Sequence, residues 1–479
     1  MEAAIPLEAP GLAVKWIDRL IHSPVGDLIA RPWVDPVGLA ALKRWYFPLS
    51  RLWAAANVAD GSPEAFAAAI GGTRPDYGRW SMRYLEGSLK RHAAVRQRAL
   101  AARALWEEAA FGDAAITPEA LAALDDDRRR RASLHLGTRA LFYPLRFAAH
   151  PPLARWQVPP PDDVEAIYGA VRDAPAAAYA APDPLPEVSL SHLAIGAGLR
   201  ERWLRFRSPL PRLASTPGTG WVYARVIEPS PDAHVPTLIV GSGLCLETDL
   251  LSRSVDAANL IARMGFRVVD VVSPFHGLRC PPDVYGGEPF FATAPLGTID
   301  LILGQTLETA VLIQWCRQRF GGRVAVAGIS LTSFVAQQVA VRAADWPQEM
   351  RPDAVMLISH SGRIEEVTFN GTLVRTLGLN AELDAAGWTR AALMRWEAML
   401  NPKGVPALPS DRIVSVLGNG DTLLPFATGM ELARAWNLPG ENVFELGVGH
   451  LTMPVALMRD DRALVRLRQI LASPPASSS

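Results

Sequence analysis

Short apolar runs alternate with longer helical stretches in the second part of the chain, after about residue 190. Most of these runs are dense in Val, Ile and Leu, which is typical of strands buried on both faces of a parallel sheet. The strand candidates are residues 221–227, 237–240, 267–272, 324–327, 354–358, 413–417 and 443–446. Helices are predicted between them, notably at 252–264, 299–320 and 331–344. The alternation predicts an α/β fold, with a doubly wound, mostly parallel sheet and flanking helices.

The first 190 residues have another pattern, in which Ala-rich runs keep helical spacing, most clearly at 86–111. Helix starts are predicted where a capping side chain stands just before Pro or acidic residues, at Ser62, Thr117 and Asp162. A connector rich in Ala and Pro at 175–186 ends this part.

The predicted organisation therefore has three parts. Residues 1–190 form a helical N-terminal region, and residues 191–470 form the α/β domain. A helical cap is expected at about 363–410, between two strands, and residues 471–479 are expected to be a disordered tail. The sequence leaves open whether the N-terminal region is a separate domain or wraps around the α/β domain, and it does not define the oligomeric state.

The charge balance gives no reason to expect nucleic acid as a partner, because the chain has 48 basic and 48 acidic residues. One charged run, Asp125 to Arg131, invites that interpretation locally. The alternative is a solvated helix face with internal ion pairs, which the alternation of acidic and basic blocks favours.

Compartment and membrane signals are also weak. The odd and low count of three cysteines argues against a disulfide framework and favours a reducing compartment, and none of them has a metal-ligand spacing. The first residues lack the basic and then apolar pattern of a signal peptide, and no apolar run reaches about 18 residues. We therefore expect a cytoplasmic protein. An amphipathic stretch at 12–30 is expected to pack on the protein itself, with a membrane surface as the alternative.

A candidate nucleophile, Ser330, stands where the apolar run 324–327 passes into a predicted helix. A serine nucleophile of this type needs a sharp turn, so that its hydroxyl projects beyond the sheet, and it needs small flanking residues. Gly328 supplies one small position, whereas Thr332 occupies the position that is usually glycine. An ordinary helix N-cap would explain a serine here equally well.

Two further side chains favour the catalytic interpretation. Asp421 follows the strand candidate 413–417, and His450 follows the next one, 443–446. The chain order Ser, Asp, His is the order of α/β-hydrolases, and imidazole and carboxylate are the groups that activate a serine hydroxyl. Asp411 is the alternative to Asp421 as the acid.

Acyl transfer also needs N–H donors for the developing oxyanion. The backbone N–H of Leu331, directly after the serine, is one candidate. The second is expected from the loop that follows strand 237–240, at Gly243 or Leu244, because Gly241 and Gly243 let backbones approach closely.

The run Pro274-Phe275-His276-Gly277-Leu278-Arg279-Cys280-Pro281 resembles a signature of one branch of the α/β-hydrolases. That branch includes α/β-hydrolase domain-containing protein 18 and its bacterial relatives, and the likeness covers about residues 220–460. Thr332 and Leu244 depart from its usual residues. The resemblance implies an α/β-hydrolase fold and an enzyme that cleaves or transfers acyl groups, with lipid-like molecules as one class of substrate.

The sequence therefore predicts a serine hydrolase of carboxylic esters or thioesters, of a small-molecule or lipid-like acyl substrate, with neither a metal nor an organic cofactor. An acyltransferase with the same residues and a non-catalytic scaffold are the alternatives. His276 and Arg279 are candidate substrate-binding residues, and the other interpretation of Arg279 is that it pins its loop to Asp283 or to backbone carbonyls.

Overall fold

The structure is a computed structural model that describes residues 31–71, 78–229, 235–246 and 256–473, together with Ser23 and Gly26. A ten-stranded sheet forms the centre of this described part. Its strands are β1 (Ser189–Leu190), β2 (Ala194–Gly196), β3 (Leu199–Arg207), β4 (Trp221–Glu228), β5 (Thr237–Gly241), β6 (Arg267–Val271), β7 (Val324–Ile329), β8 (Ala354–Ile358), β9 (Ile413–Gly418) and β10 (Val443–Leu446).

The strands follow the order β1-β3-β4-β6-β5-β7-β8-β9-β10, and β2 pairs with β3 at the edge. All pairs from β6 through β10 are parallel, whereas β3 and β4 run antiparallel to their neighbours. The carboxyl ends of β5 to β10 therefore meet at one edge of the sheet.

All seven predicted strands are confirmed, to within two residues at their ends. Strands β6 and β9 are buried along their whole length, as strands covered on both faces must be. The prediction missed β1, β2 and β3. Strand β3 alternates buried apolar residues with charged ones, which is the pattern of an antiparallel strand near a sheet edge.

The N-terminal region is helical, as predicted. Its helices are α1 (Val34–Ala41), α2 (Phe47–Ala59), α3 (Pro63–Ile70), α4 (Arg79–Phe111), α5 (Pro118–Gly137), α6 (Arg146–Ala149), α7 (Pro161–Arg172) and α8 (Pro175–Ala178). The predicted caps Ser62 and Thr117 are confirmed, because each side chain accepts a backbone N–H of the first turn. The predicted cap at Asp162 is wrong: α7 starts at Pro161, so Asp162 already lies in its first turn. The amphipathic stretch 12–30 lies outside the described residues, apart from Ser23 and Gly26.

The remaining helices cover the two faces of the sheet and the edge at the carboxyl ends of its parallel strands. They are α9 (Pro211–Ser215), α10 (Ala257–Arg263), α11 (Glu288–Ala292), α12 (Leu296–Phe320), α13 (Leu331–Arg342), α14 (Ile364–Asn370), α15 (Thr372–Leu377), α16 (Leu379–Ala385), α17 (Arg390–Met394), α18 (Glu397–Leu400), α19 (Phe426–Ala435), α20 (Met453–Arg459) and α21 (Arg462–Ala472). Helices α14 to α18 occupy the predicted cap. Helix α21 runs two residues into the predicted tail, whose residues 474–479 lie outside the described part.

Helix α12 has the length and composition of a membrane-crossing helix, but 94% of its most apolar window is buried inside the protein. The helix packs against α13 and β5, so its apolar surface is already covered by the fold. Helix α12 is therefore a core helix of this domain.

The N-terminal region shares the main core with the α/β domain. Leu39 and Phe47 belong to the same buried cluster as the sheet residues Val269 and Val326. The predicted connector 175–186 is part of this packing, because Tyr179 is buried and its hydroxyl donates to the carbonyl of Met399.

A fully buried ion pair joins the two parts as well. Both the Arg51 guanidinium of α2 and the Glu288 carboxylate of α11 have no exposed side-chain surface, and they lie 2.8 Å apart. Removing one partner of such a pair would leave an uncompensated buried charge, which costs about 3–5 kcal/mol. The two parts are therefore held in a fixed relation at this point.

The charged run on α5 is only half solvated, which corrects the prediction of a solvated face. Arg130 and Arg131 pair with Asp127 on the exposed side. Asp125 and Arg129, by contrast, are buried, and Arg129 reaches the carboxylates of Glu201 and Asp256 in the α/β domain. This half of the run is part of the contact between α5 and the sheet.

Candidate active site

Ser330 lies on a strained turn between β7 and α13. Its backbone angles are φ 55° and ψ −114°, which few residues other than glycine adopt. Gly328 is required here, because a Cβ at that position would lie 2.1 Å from the carbonyl oxygen of Thr332. The strain and the close approach are what a nucleophile elbow requires.

Thr332 fits the turn because the neighbouring strand makes room for it. A Cβ on Gly241 of β5 would lie 2.7–2.9 Å from three side-chain atoms of Thr332. The Thr332 hydroxyl is also satisfied, since it accepts the N–H of Ile329 at 3.1 Å. The missing glycine in the elbow is therefore compensated by a glycine on the adjacent strand.

Three side chains from distant segments form one hydrogen-bonded chain at the carboxyl edge of the sheet. The Ser330 hydroxyl lies 2.7 Å from Nε2 of His450, and Nδ1 of His450 lies 2.6 Å from Oδ2 of Asp421. The carboxylate accepts the Nδ1–H, which leaves Nε2 free to accept the proton of the hydroxyl. The structure thus brings together the three residues that the sequence singled out.

Asp421 is held rigidly in this arrangement. Its other oxygen, Oδ1, accepts the backbone N–H groups of Leu423 and Leu424 at 2.9 and 3.0 Å. Asp411, the alternative acid, lies before β9 in the turn 410–412, and its side chain is exposed. Because it precedes the strand instead of following it, Asp411 belongs to the opposite edge of the sheet.

The predicted oxyanion loop lies against the serine. A Cβ on Gly243 would lie 3.4 Å from Cβ of Ser330, and Leu244 lines the same small pocket as Ser330. Leu331 is the first residue of α13, so its N–H has no acceptor within the helix. Leu331, Gly243 and Leu244 therefore all lie next to the Ser330 side chain.

Neither His276 nor Arg279 lines the pocket beside Ser330, and only His276 supports this loop. Nε2 of His276 accepts the N–H of Cys245, and burial lowers the pKa of His276 to about 4, so the imidazole is neutral. Arg279 is fully buried and pairs with Glu308 at 2.7 Å, not with Asp283. It also donates to the carbonyls of Val272 and Thr219, so the interpretation in which it pins its loop to backbone carbonyls is confirmed.

Asp35 is a residue of the site that the sequence did not reveal. Its carboxylate accepts hydrogen bonds from the backbone N–H groups of both His450 and Leu451. Asp35 and His450 are 415 residues apart in the sequence. Burial raises the pKa of Asp35, and the two backbone hydrogen bonds oppose that effect. Gly449 lets helix α1 approach, since a Cβ there would lie 2.4 Å from the Asp35 carboxylate. Asp35 therefore fixes the backbone that carries the imidazole.

A small apolar pocket of about 80 Å³ opens beside Ser330 and His450. Its wall combines the cap with the sheet edge, and Thr298 and Thr368 supply its few other polar groups. The apolar lining residues are Leu244, Phe290, Phe291, Ala294, Leu331, Phe334, Ile364, Val367, Leu373, Val374, Leu377, Leu379, Leu423 and Leu424. No group of His, Cys, Asp and Glu residues within the described ranges is arranged to hold a metal ion.

The strand order, the antiparallel β4, the elbow after β7 and the chain order of Ser330, Asp421 and His450 together define an α/β-hydrolase fold.

Comparison with known proteins gives likenesses to solved structures only. No family model and no curated protein matches the chain. The acetyl xylan esterase from Paenibacillus sp. R4 is 14% identical, with a TM-score of 0.44, over 64% of this chain and 94% of that one. The esterase Est22 is 13% identical, with a TM-score of 0.38, over 67% and 94% of the two chains. The acylaminoacyl peptidase of Pyrococcus horikoshii is 10% identical, with a TM-score of 0.38, over 61% and 49%. At these TM-scores the likenesses add nothing to what the strand order establishes.

The contact between Gly241 and Thr332 predicts a coupled pair of substitutions. Gly241→Ala forces a methyl group into the Thr332 side chain, and such overpacking typically lowers the free energy of unfolding by about 1–3 kcal/mol. In the Thr332→Gly background the same change should cost much less, which chemical denaturation of the four proteins would measure. Gly440→Ala is the control, because a Cβ there meets nothing within 4 Å. Additive effects of the two substitutions would contradict the interpretation.

A second prediction concerns Asp35. Asp35→Ala leaves two backbone N–H groups without their acceptor, at about 1–3 kcal/mol each, so we expect a loss of roughly 2–6 kcal/mol in the free energy of unfolding. Asp35→Asn retains an acceptor oxygen and should lose less. Asp113→Ala, an exposed position of the same region, should change little. Equal stability of Asp35→Ala and the wild-type protein in urea denaturation would show that these hydrogen bonds do not matter.

Proposed function

We propose that this protein is a serine hydrolase that cleaves a carboxylic ester or thioester, with Ser330 as nucleophile, His450 as general base and Asp421 as the acid that orients it. The observation that carries the proposal is the continuous hydrogen-bonded chain from the strained Ser330 through His450 to Asp421. An ordinary helix N-cap would need neither the imidazole nor the positive φ angle.

The mechanism follows from the direction of these hydrogen bonds. Oγ of Ser330 attacks the carbonyl carbon while its proton passes to Nε2 of His450, and Asp421 stabilises the imidazolium. The N–H of Leu331, with that of Gly243 or Leu244, donates to the tetrahedral oxyanion. The imidazolium then protonates the leaving alcohol or thiol. Water, deprotonated by His450, releases the acid from the acyl-enzyme and restores the serine.

The apolar pocket supports an acyl group as the part of the substrate bound next to Ser330. Its volume of about 80 Å³ corresponds to about five to eight water-sized groups, so it matches an acyl chain of similar length. The residues that line the pocket include no Asp, Glu, Lys or Arg, which favours an aliphatic chain over a charged acyl group.

The likeness of residues 274–281 to the branch of α/β-hydrolase domain-containing protein 18 is consistent with such a substrate, and membership of that branch stays a prediction. Within this sequence the run supports the site indirectly, because His276 holds the loop of Gly243 and Leu244 through Cys245.

Active-site labelling tests the triad. Wild-type protein should react covalently with a fluorophosphonate probe, whereas Ser330→Ala should not react at all. His450→Ala should reduce the rate of labelling by about 10⁶-fold and Asp421→Asn by about 10⁴-fold, by analogy with other triads. Asp411→Asn is the matched control and should label at the wild-type rate. Labelling that persists in Ser330→Ala would overturn the assignment, and a folded wild-type protein that does not label would favour a non-catalytic scaffold.

Chain-length preference tests the acyl pocket. We expect kcat/KM for p-nitrophenyl butyrate and hexanoate to exceed that for the dodecanoate by about tenfold or more, since the longer chain does not fit without displacing the cap. Leu377→Ala removes a buried wall of the pocket and should shift the preference toward longer chains. Val405→Ala, at a highly exposed position, is the control. A flat profile in all three proteins would show that the pocket does not bind the acyl chain.

A further inference from the structure

A second and larger cavity, of about 580 Å³, lies between the N-terminal helices and the α/β domain. Helices α4 and α5 form one wall, and the loops around residues 214–221 and 277–284 form the other. It shares no lining residue with the pocket beside Ser330. Its volume is within the range of small-molecule binding sites, which is about 300–1,000 Å³.

The lining of this cavity is strongly one-sided in charge. Four arginines, Arg96, Arg103, Arg128 and Arg207, line it, and none of its lining residues is acidic. A concave site lined by charges of one sign concentrates a field that attracts the opposite sign. The cavity as a whole therefore favours an anion.

Two of these arginines are already compensated. Arg128 is buried and pairs with Asp125 at 2.8 Å, and its guanidinium stacks on the ring of Trp106. Arg103 lies 3.6 Å from Glu107 and donates to the carbonyl of Leu278. These two residues shape the wall and contribute little free positive charge.

Arg96 and Arg207 carry the uncompensated charge. Among the residues that the structure describes, none pairs with Arg96 or accepts a hydrogen bond from it. Arg207 is exposed at the rim of the cavity, and within the described ranges its guanidinium donates only to the carbonyl of Ala214 and lies over the ring of Trp221. The neighbouring imidazoles do not change this balance, because burial, with the charge of Arg96 as a further cause, lowers the pKa of His92 to about 4 and that of His135 to about 3.

Most of the remaining lining is apolar or aromatic, and Asn57, His135, Ser215 and Thr216 add polar side chains. Trp53, Trp221 and Tyr223 contribute ring surface, and Leu100 and Leu136 contribute aliphatic surface. Arginine guanidinium groups beside aromatic rings are suited to an acidic head group attached to an apolar body.

We infer that this cavity is a second binding site, which takes an organic anion with a carboxylate, sulfonate or phosphate head group and an aromatic or aliphatic body. Arg96 and Arg207 bind the head group, and the rings and leucines cover the body. The inference does not depend on the proposed hydrolase activity, because the two sites are lined by different residues.

A pair of fluorescent probes tests the inference on the full chain. The anionic probe is 8-anilinonaphthalene-1-sulfonate, and N-phenyl-1-naphthylamine is its uncharged counterpart. The double substitution Arg96→Gln and Arg207→Gln should weaken binding of the sulfonate about tenfold or more, since hydrogen bonds to charged groups are lost, and should leave the neutral probe almost unaffected. Arg98→Gln, an exposed position two residues away on the same helix, is the matched control.

Several outcomes would overturn the inference: unchanged sulfonate binding in the double variant, an equal loss in Arg98→Gln, or an equal loss for both probes. Folding of each variant is checked by its melting temperature. Arg96→Lys keeps the positive charge and should therefore bind the sulfonate better than Arg96→Gln does. This comparison separates an effect of the lost charge from a local disruption of the structure.

Cys280 provides a second readout, because it lines the cavity and is half-buried. In a Cys245→Ala background, the remaining cysteine, Cys316, is fully buried. Bound sulfonate should slow the reaction of Cys280 with a maleimide, and the slowing should be absent in the Arg96→Gln and Arg207→Gln double variant. Equal reaction rates with and without the sulfonate would place the bound probe elsewhere and contradict the site.

Discussion

The hydrogen bond between the Ser330 hydroxyl and Nε2 of His450 depends on the parallel register of the central sheet. It joins residues 120 positions apart in the chain. The contact forms here because β7, β9 and β10 run parallel and end at the same edge of the sheet, where Ser330, Asp421 and His450 follow them. The parallel register of the sheet is therefore the condition for the geometry of the site.

The N-terminal region is a second condition for that geometry, because it reaches both loops that flank the serine. Asp35 holds the backbone of His450, and the Tyr46 hydroxyl donates to the carbonyl of Cys245 in the loop opposite. Close contact of α1 with the base loop is possible only because Gly449 and Gly420 lack side chains, since a Cβ on Gly420 would lie 2.5 Å from Pro32. The division of the chain into two parts by composition thus does not correspond to a division of the site.

The sequence was sufficient for the central strands and for the three side chains at their ends. Continuous Val, Ile and Leu runs identify strands buried on both faces, and residues directly after such strands must share an edge. Asp35 could not be identified in this way. It lies in a short helical segment, and its contact with His450 spans 415 residues, so no local pattern records it.

Strand β3 and the buried half of the charged run on α5 were not predicted from the sequence, for related reasons. Strand β3 did carry a signal, because apolar and charged residues alternate along Leu199–Arg207, but its arginines resemble an exposed helix. The buried half of the α5 charge run has the same composition as the exposed half, and only the carboxylates Glu201 and Asp256 of the other domain distinguish Arg129 from Arg130.

The long separation between Asp35 and its partners has a consequence for synthesis of the chain. Helix α1 is synthesised well before the loop that receives its carboxylate, which follows 415 residues later. The ring of Phe47 likewise packs against Tyr285 and Phe291, which are made more than 230 residues after it. Apolar surface that is exposed in this way before its partners exist is prone to aggregation, so association of the N-terminal region with the α/β domain also protects the growing chain.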